Sequence, residues 1–421
     1  MRALDAWLEG SFVGRFTETD DRHVLFEYDP GAPSTQISLS LPRNRPHTKN
    51  AAKHFLENLL PDHEATRTRM ARVYAAAGVG TFDLLAKSGV DVAGGLVLVP
   101  AGTEPATGLG HLFPAPDDVI ANRIAEIKND PDAWAPSDTF ARFSLGGTQG
   151  KFALARVDGE WFWPNAAVPS THIVKPARPE MLLLEQAETA AMRLAMRIGL
   201  SAPAAEVFEV EDQSAYMVQR FDRLPGDPFA SRLHVEDLAQ ASFMSPNDKY
   251  SLTAVQALAL LAPEDQDSRL AHQFISQLAF NTMLGNADAH AKNYSVILRP
   301  GTASTPAVEL SPMYDVVPVG LYPYNQDLAM RIGGATRPQA IQAHHWRKLA
   351  SRAGLDSDEV MAIVGNVAEG IAANVNTAWV ELEPEQQTML REQLLRNTDR
   401  FVGLNETKQV EMHVQPSTPP K

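Results

Sequence analysis

From Met1 to Leu41 the chain alternates apolar and polar positions in the two-residue period of strands, with segments at Ala6–Leu8, Phe12–Gly14, Val24–Phe26 with Tyr28, and Ile37–Leu41. Gly10-Ser11, Asp20-Asp21 and Pro30-Gly31 separate them as turns, which predicts a small antiparallel sheet. After Asn50 the period becomes helical, with Phe55, Leu56, Leu59 and Leu60 on one face and later Phe82, Leu84 and Leu85. Gly94–Pro100 reads as one more strand. Ala101–Asp117 is rich in Gly, Pro and Thr and marks a boundary, followed by a helical piece over Val119–Ile127. A glycine-rich turn then runs into a strand beyond Lys151, Thr171–Lys175 forms another, and a helix is expected from Pro179 to Leu200. Tyr216–Arg223 is a strand leaving for a loop. Beyond it the pattern is helical: Val235–Phe243, Leu252–Leu261, an apolar run Leu270–Leu284, and amphipathic segments between Pro338 and Val402, interrupted by strands at Asn293–Leu298 and near Leu310. Nothing before Pro100 has a catalytic pattern.

Composition narrows the classes. A chain of 421 residues exceeds what one core usually serves, and its hydrophobic (44%) and charged (21%) fractions are globular. The net charge of -14 disfavours a broad phosphate-neutralising surface for nucleic acid. Residues 1–103 hold 11 basic and 12 acidic side chains, so the acidity lies beyond residue 103. The absence of cysteine excludes disulfides, a thiol nucleophile and cysteine-ligated metals. No eighteen-residue apolar run and no signal-like start are present, so a cytoplasmic protein outside the membrane is expected.

Candidate chemistry gathers at Asn286-Ala-Asp288-Ala-His290-Ala-Lys292-Asn293 and at Tyr314-Asp315. Asp288 and Asn293 are five apart, the interval that in protein kinases separates the proton-accepting aspartate from an asparagine on magnesium, and Asp315 supplies a second carboxylate. A polar loop with Asp288 as a helix cap would show the same residues. Upstream, Ser144-Leu-Gly146-Gly147-Thr148-Gln149-Gly150-Lys151 could close backbone amides on an anion. It is no Walker loop: the glycines are four rather than five apart, and Phe152 replaces the metal-binding hydroxyl. A hairpin turn is the plainer alternative. Lys175 closes a strand, where an inward lysine needs a partner; Glu185 and Glu188 on the next helix are candidates, Glu188 preferred. His344-His345 invites a metal reading, but helix neighbours point apart, which leaves a surface pair.

Taken together, these motifs resemble the HipA-like serine/threonine kinase toxins of bacterial toxin-antitoxin modules. The resemblance also rests on Phe55-Leu-Glu-Asn-Leu-Leu-Pro61, Phe82–Leu85, Arg220–Arg223 and His234–Asp237, and runs from residue 1 to about 400. It implies an α+β fold: a protein-kinase-like bilobal core, with a mixed N-lobe (104–218) and a helical C-lobe (219–402), behind an N-terminal β-rich subdomain (1–103). The tail, 403–421, is expected to be disordered. It further implies ATP and Mg²⁺ as cofactors, Asp288 as proton acceptor, and Asn293 and Asp315 as metal ligands. Gly146, Gly147, Thr148, Gln149, Gly150, Lys151 and Lys175 would meet the phosphates. Gln219, Arg220 and Phe221 would meet adenine, and His290, Lys292, Asn293, Tyr314 and Asp315 would complete the nucleotide site. Ser144 would be the autophosphorylated serine whose modification silences the kinase. The implied partners are a helix-turn-helix, HipB-like antitoxin that carries the DNA contacts, and a protein substrate such as an aminoacyl-tRNA synthetase. Val316-Val317 stand where ordinary kinases have Phe-Gly, so control by an activation loop is not expected. A catalytically lapsed corepressor and a metal-dependent hydrolase built on Asp288, His290 and Asp315 are the competing readings.

Overall fold

The computed structural model describes residues 2–108, 112–136, 141–300 and 307–403; the tail expected to be disordered lies outside them, apart from Gly403. The chain forms two compact units, one of residues 1–189, 203–251 and 291–314, the other of 190–202, 252–290 and 315–421.

The first unit opens with β1 (Arg2–Leu8), β2 (Ser11–Glu18), β3 (Val24–Tyr28) and, after helices α1 (Ala51–Glu57), α2 (Glu64–Val73) and α3 (Thr81–Ser88), β4 (Leu96–Pro100). These strands make an antiparallel sheet in the order β3-β2-β1-β4. Its inward residues, among them Leu4, Phe16 and Phe26, pack on Phe55, Leu56 and Leu60, with the rings of Phe16 and Phe55 stacked at 6.0 Å.

Ile37–Leu41 is not a strand, although it alternates. Both of its faces are buried, and side chains rather than a neighbouring strand take its backbone: the Ile37 amide donates to the Tyr28 hydroxyl (2.9 Å), which donates to the Leu41 carbonyl (2.7 Å). The serines turn toward Glu236. Its carboxylate accepts from the Ser38 hydroxyl (2.5 Å) and the Leu39 amide (2.7 Å).

Burial pushes the Glu236 carboxyl up to about 8, against the pull of the Leu39 and Ser38 donors. The folded chain therefore holds this proton more tightly than the unfolded chain, and stability falls as pH rises from the ordinary glutamate range to about 8. Glu236→Gln, whose oxygen can accept the Leu39 amide while its amide nitrogen donates to Ser38 Oγ, is expected to flatten that decline. At pH 8 its thermal midpoint should exceed wild type by roughly 2–4 °C per kcal/mol gained; parallel pH profiles for the two proteins would show that the carboxyl is not protonated in the fold.

Helix α4 (Asp117–Asn129) covers a second sheet made of β5 (Phe152–Val157), β6 (Glu160–Phe162), β7 (His172–Lys175), β8 (Ala205–Val210) and β9 (Gln213–Gln219), ordered β6-β5-β7-β9-β8. Helix α5 (Leu184–Arg197) starts five residues later than its periodicity predicts. Leu183 takes a positive φ of 56° and Leu182 is exposed, so the segment from Pro179 turns instead of winding. A short hairpin, β10 (Arg223–Leu224) with β11 (Ser231–Arg232), precedes a three-stranded sheet of β12 (Val235–Asp237), β13 (Ser295–Leu298) and β14 (Val308–Leu310). The helix expected over Val235–Phe243 thus begins as a strand paired to β13. Only α6 (Leu238–Ala241) is helical, started by a reciprocal cap between Asp237 and Gln240.

The second unit is helical: α7 (Ala254–Leu261), α8 (Arg269–Leu284), α9 (Ala343–Ala353), α10 (Ser357–Asn374) and α11 (Pro384–Thr398), with the last part of α5. Helix α8 is buried on nearly every side of its second half, from Phe274 to Leu284, between α7, α10 and α11. The His344 and His345 rings do not point apart; their centroids are 3.9 Å from each other, because His345 folds back to accept the Gln342 amide at the start of α9. No helix among the described residues is long and apolar enough to cross a membrane.

Candidate active site

Helix α8 ends at Gly285, whose φ of 77° turns the chain sharply. In the loop after it, Asn286, Ala287, Ala289 and His290 are buried while Asp288 is exposed. The side chain of Asn286 organises this loop within the second unit. Its Nδ2 donates to Asn281 Oδ1 (2.9 Å) and to the Asp315 carbonyl (3.2 Å), and its Oδ1 accepts the Asp288 amide (3.3 Å). One buried amide thus pins the backbones of both carboxylate residues. Asp315 has a φ of 57°, a left-handed conformation that aspartate tolerates better than most residues and that clusters at functional sites.

The remaining site candidates lie in the first unit. Ala291–Asn293 form one tight turn, held by the Ala291 amide on the Lys249 carbonyl (3.1 Å). Tyr314 donates from its hydroxyl to the Lys292 carbonyl (2.8 Å), lies 2.6 Å from Ser295 Oγ and stacks on Phe221 with ring centroids 5.3 Å apart. Lys175 Nζ pairs with Glu188 Oε1 at 2.9 Å, both buried, and lies 5.4 Å from the Tyr216 ring centre. Glu185 is directed elsewhere, to the Ser214 hydroxyl (2.7 Å) and the Ala177 amide (3.1 Å).

The glycine turn is braced from below and open at its tip. Ser144 is 1% exposed; its hydroxyl donates to the Leu59 carbonyl (2.7 Å) and its amide to the Asp91 carbonyl (2.9 Å). Gly146, Gly147, Thr148 and Gln149 are half-buried, and Lys151 Nζ donates to the Gly146 carbonyl (3.0 Å). Gly147 has a φ of 100°, and a Cβ on Gly146 would stand 2.9 Å from the Asn58 carbonyl and 3.1 Å from Lys292 Nζ. Backbone that close to an ammonium suits an anion.

At the expected adenine contact, Gln219 is exposed and Phe221 half-buried. The Arg220 guanidinium instead enters a buried ion cluster, bonding Asp222 (2.6 Å), Ser170 Oγ (2.8 Å) and the Val92 carbonyl (2.8 Å), and its amide donates to the Thr171 carbonyl (2.8 Å). Burial would raise the Asp222 carboxyl, but Arg220 and Arg223 hold it far below the usual range.

Three contributors were not singled out from the sequence: Asn286 as organiser, and Lys249 and Asp62, which both join the Lys292 turn. The sole sequence cue for Asp62 is its place after Phe55–Pro61; its partners are 187 and 230 residues away. Among the described residues no group of three or more His, Asp or Glu side chains is placed to hold a metal ion. The side-chain oxygens of Asn293 and of Asp315 are hard donors of the kind that Mg²⁺ takes.

A five-stranded antiparallel sheet with a lysine–glutamate pair, a glycine turn and a carboxylate loop leaving a buried helix define a kinase-like architecture. The HipA N-terminal domain family matches residues 4–99 and the HipA-like C-terminal domain family residues 143–375. The chain belongs to the HipA-like family. It is 31% identical to the putative kinase Y4mE of Sinorhizobium fredii over 89% of this chain and 91% of that protein. It is 29% identical to the serine/threonine-protein kinase toxin HipA of Shewanella oneidensis, over 89% of this chain and 90% of the other. The solved complex of Shewanella oneidensis HipA, HipB and operator DNA contains a chain that superposes with a TM-score of 0.80 at 26% identity, covering 96% of this chain and 99% of that one.

Proposed function

We propose that the protein is an ATP- and Mg²⁺-dependent serine/threonine protein kinase, the toxin of a toxin-antitoxin pair, which inactivates itself by phosphorylation at Ser144. The observation that carries this reading is Asn286: one side chain holds the backbones of Asp288 and Asp315, leaving Asp288 exposed in a loop that is otherwise buried. ATP with its magnesium would supply the transferable phosphoryl group and the counter-charge for it. Asp288 takes the proton of the attacking hydroxyl, and Asn293 and Asp315 are the oxygen ligands for the metal. Gly146 to Lys151, Lys175 and Lys292 receive the phosphates, Glu188 holding Lys175 in place. Gln219, Phe221 and the backbone of Arg220 complete the nucleotide site with His290 and Tyr314. On this reading 1–103 is the β-rich subdomain, 104–218 the N-lobe and 219–402 the C-lobe.

The relative solved with HipB and operator DNA supports a HipB-like antitoxin partner, with DNA reached through it. The net charge of -14 agrees, since a partner would make most phosphate contacts. A cytoplasmic location belongs to the same reading.

The purified chain incubated with labelled ATP and Mg²⁺ is expected to label itself, with the label mapping to Ser144 and lost in Ser144→Ala. Wild-type protein that takes up no label and binds no nucleotide sinks the proposal, and operator binding with a partner in the absence of any phosphate transfer would favour a lapsed corepressor.

A further inference from the structure

The segment Asn58–Asp62, in the part of the chain without catalytic pattern, touches the glycine turn and the end of the catalytic loop at once. Asp62 Oδ1 lies 3.0 Å from Lys292 Nζ and Asp62 Oδ2 3.0 Å from Lys249 Nζ, and Lys292 Nζ also donates to the Asn58 carbonyl (3.3 Å). The Lys249 and Lys292 side chains are buried and that of Asp62 is 11% exposed. Burial would raise Asp62, but Lys292 and Lys249 bring its carboxyl down to about 2, so it is ionised throughout the physiological range. The same residue's amide donates to the Gly147 carbonyl (2.9 Å), Pro61 bridges Gly147 in parallel fashion, and the Lys249 carbonyl holds Ala291. Lys292 Nζ in turn lies where a Cβ on Gly146 would be only 3.1 Å away.

We infer that Asp62 is a positioning residue for phosphoryl transfer: through its carboxylate it aims the Lys292 ammonium beneath the glycine turn, and through its amide it sets that turn. The N-terminal β-rich segment is then a working part of the phosphate site. Asp62 sets one negative charge between two ammoniums, the Asp237 carboxyl also acts on Lys292, and the two ion pairs fix where the Lys292 ammonium sits under Gly146. A lysine tail released from Asp62 regains its rotamer freedom, and displacement of about 1 Å at a site of this kind can cost 10²-fold in rate.

This inference rests on the kinase reading, and its test separates the two. Asp62→Asn combined with Lys249→Met keeps the local net charge but frees Lys292. Asp62→Glu keeps both charges and moves the anchor by one methylene. In single-turnover self-phosphorylation, both variants are expected to lose at least about tenfold in maximal rate, with the ATP concentration for half-saturation changing less. Hydrogen exchange should quicken at residues 144–150 and 291–294. A wild-type rate with wild-type exchange in either folded variant overturns the role of Asp62. If the wild-type chain itself transfers no phosphate, the kinase reading falls, and exchange alone decides: faster exchange in those two segments upholds the brace and unchanged exchange removes it.

Discussion

Asp288→Ala is expected to lower self-phosphorylation by about 10²–10⁴-fold, the usual worth of a positioned proton acceptor, while the protein stays folded and still binds nucleotide. The geometry separates those effects. Asp288 is exposed, and its backbone amide donates to Asn286, a contact that alanine retains. Exposed substitutions of this kind usually alter stability within about 0.5 kcal/mol. Asp288→Asn, which keeps the shape but accepts no proton, should lose as much. A nucleotide titration beside a phosphate-transfer assay measures both; transfer by Asp288→Asn at the wild-type rate would end the assignment of this residue as the acceptor.

The largest expected loss of stability is elsewhere, at Asp91. This fully buried carboxylate meets Arg223 (3.0 Å) and the Ser170 hydroxyl (2.6 Å), and lies within 3.7 and 3.8 Å of Arg220 and Arg232. Asp222 is the only other acidic partner of these guanidiniums among the described residues. Removing one partner from a buried ion cluster leaves uncompensated charge and costs about 3–5 kcal/mol. Asp91→Ala should therefore melt roughly 6–20 °C below wild type at 2–4 °C per kcal/mol. Asp91→Asn, which still accepts from Ser170, should fall less far. A midpoint within about 2 °C of wild type for Asp91→Ala would mean that Asp222 alone suffices. Because the Asp91 carbonyl also holds the Ser144 amide, loosening this cluster is expected to expose Ser144 as well.

Much of the candidate site was legible before any coordinates. The five-residue interval from Asp288 to Asn293, the glycines ahead of Lys151, and a strand ending at Lys175 are short-range signals. Each depends on neighbours in the chain, which is why spacing and period can display it. Between Glu185 and Glu188 local spacing left the partner of Lys175 open, and the buried ion pair decides for Glu188. The misreadings share one cause. Ile37–Leu41 alternates like a half-buried strand, but its polar positions face a buried glutamate from residue 236, so the alternation reports two different partners and not core against solvent. Val235–Asp237 carries no strand signal strong enough to outweigh the helix after it, and pairs with β13 because that edge is available to it.

Local spacing and hydrophobic period were enough to establish the order of most elements and the place of the glycine turn, and to mark Asp288, Asn293 and Asp315 as candidates, since these depend on steric and hydrogen-bonding rules acting over a few residues. Tertiary structure alone decided that Asn286 serves both Asp288 and Asp315, that Arg220 is spent in an ion cluster, and that Asp62 pairs with Lys292. Those choices join residues far apart in the chain, and they are settled by which buried charge or amide can find its partner once the backbone has closed around it.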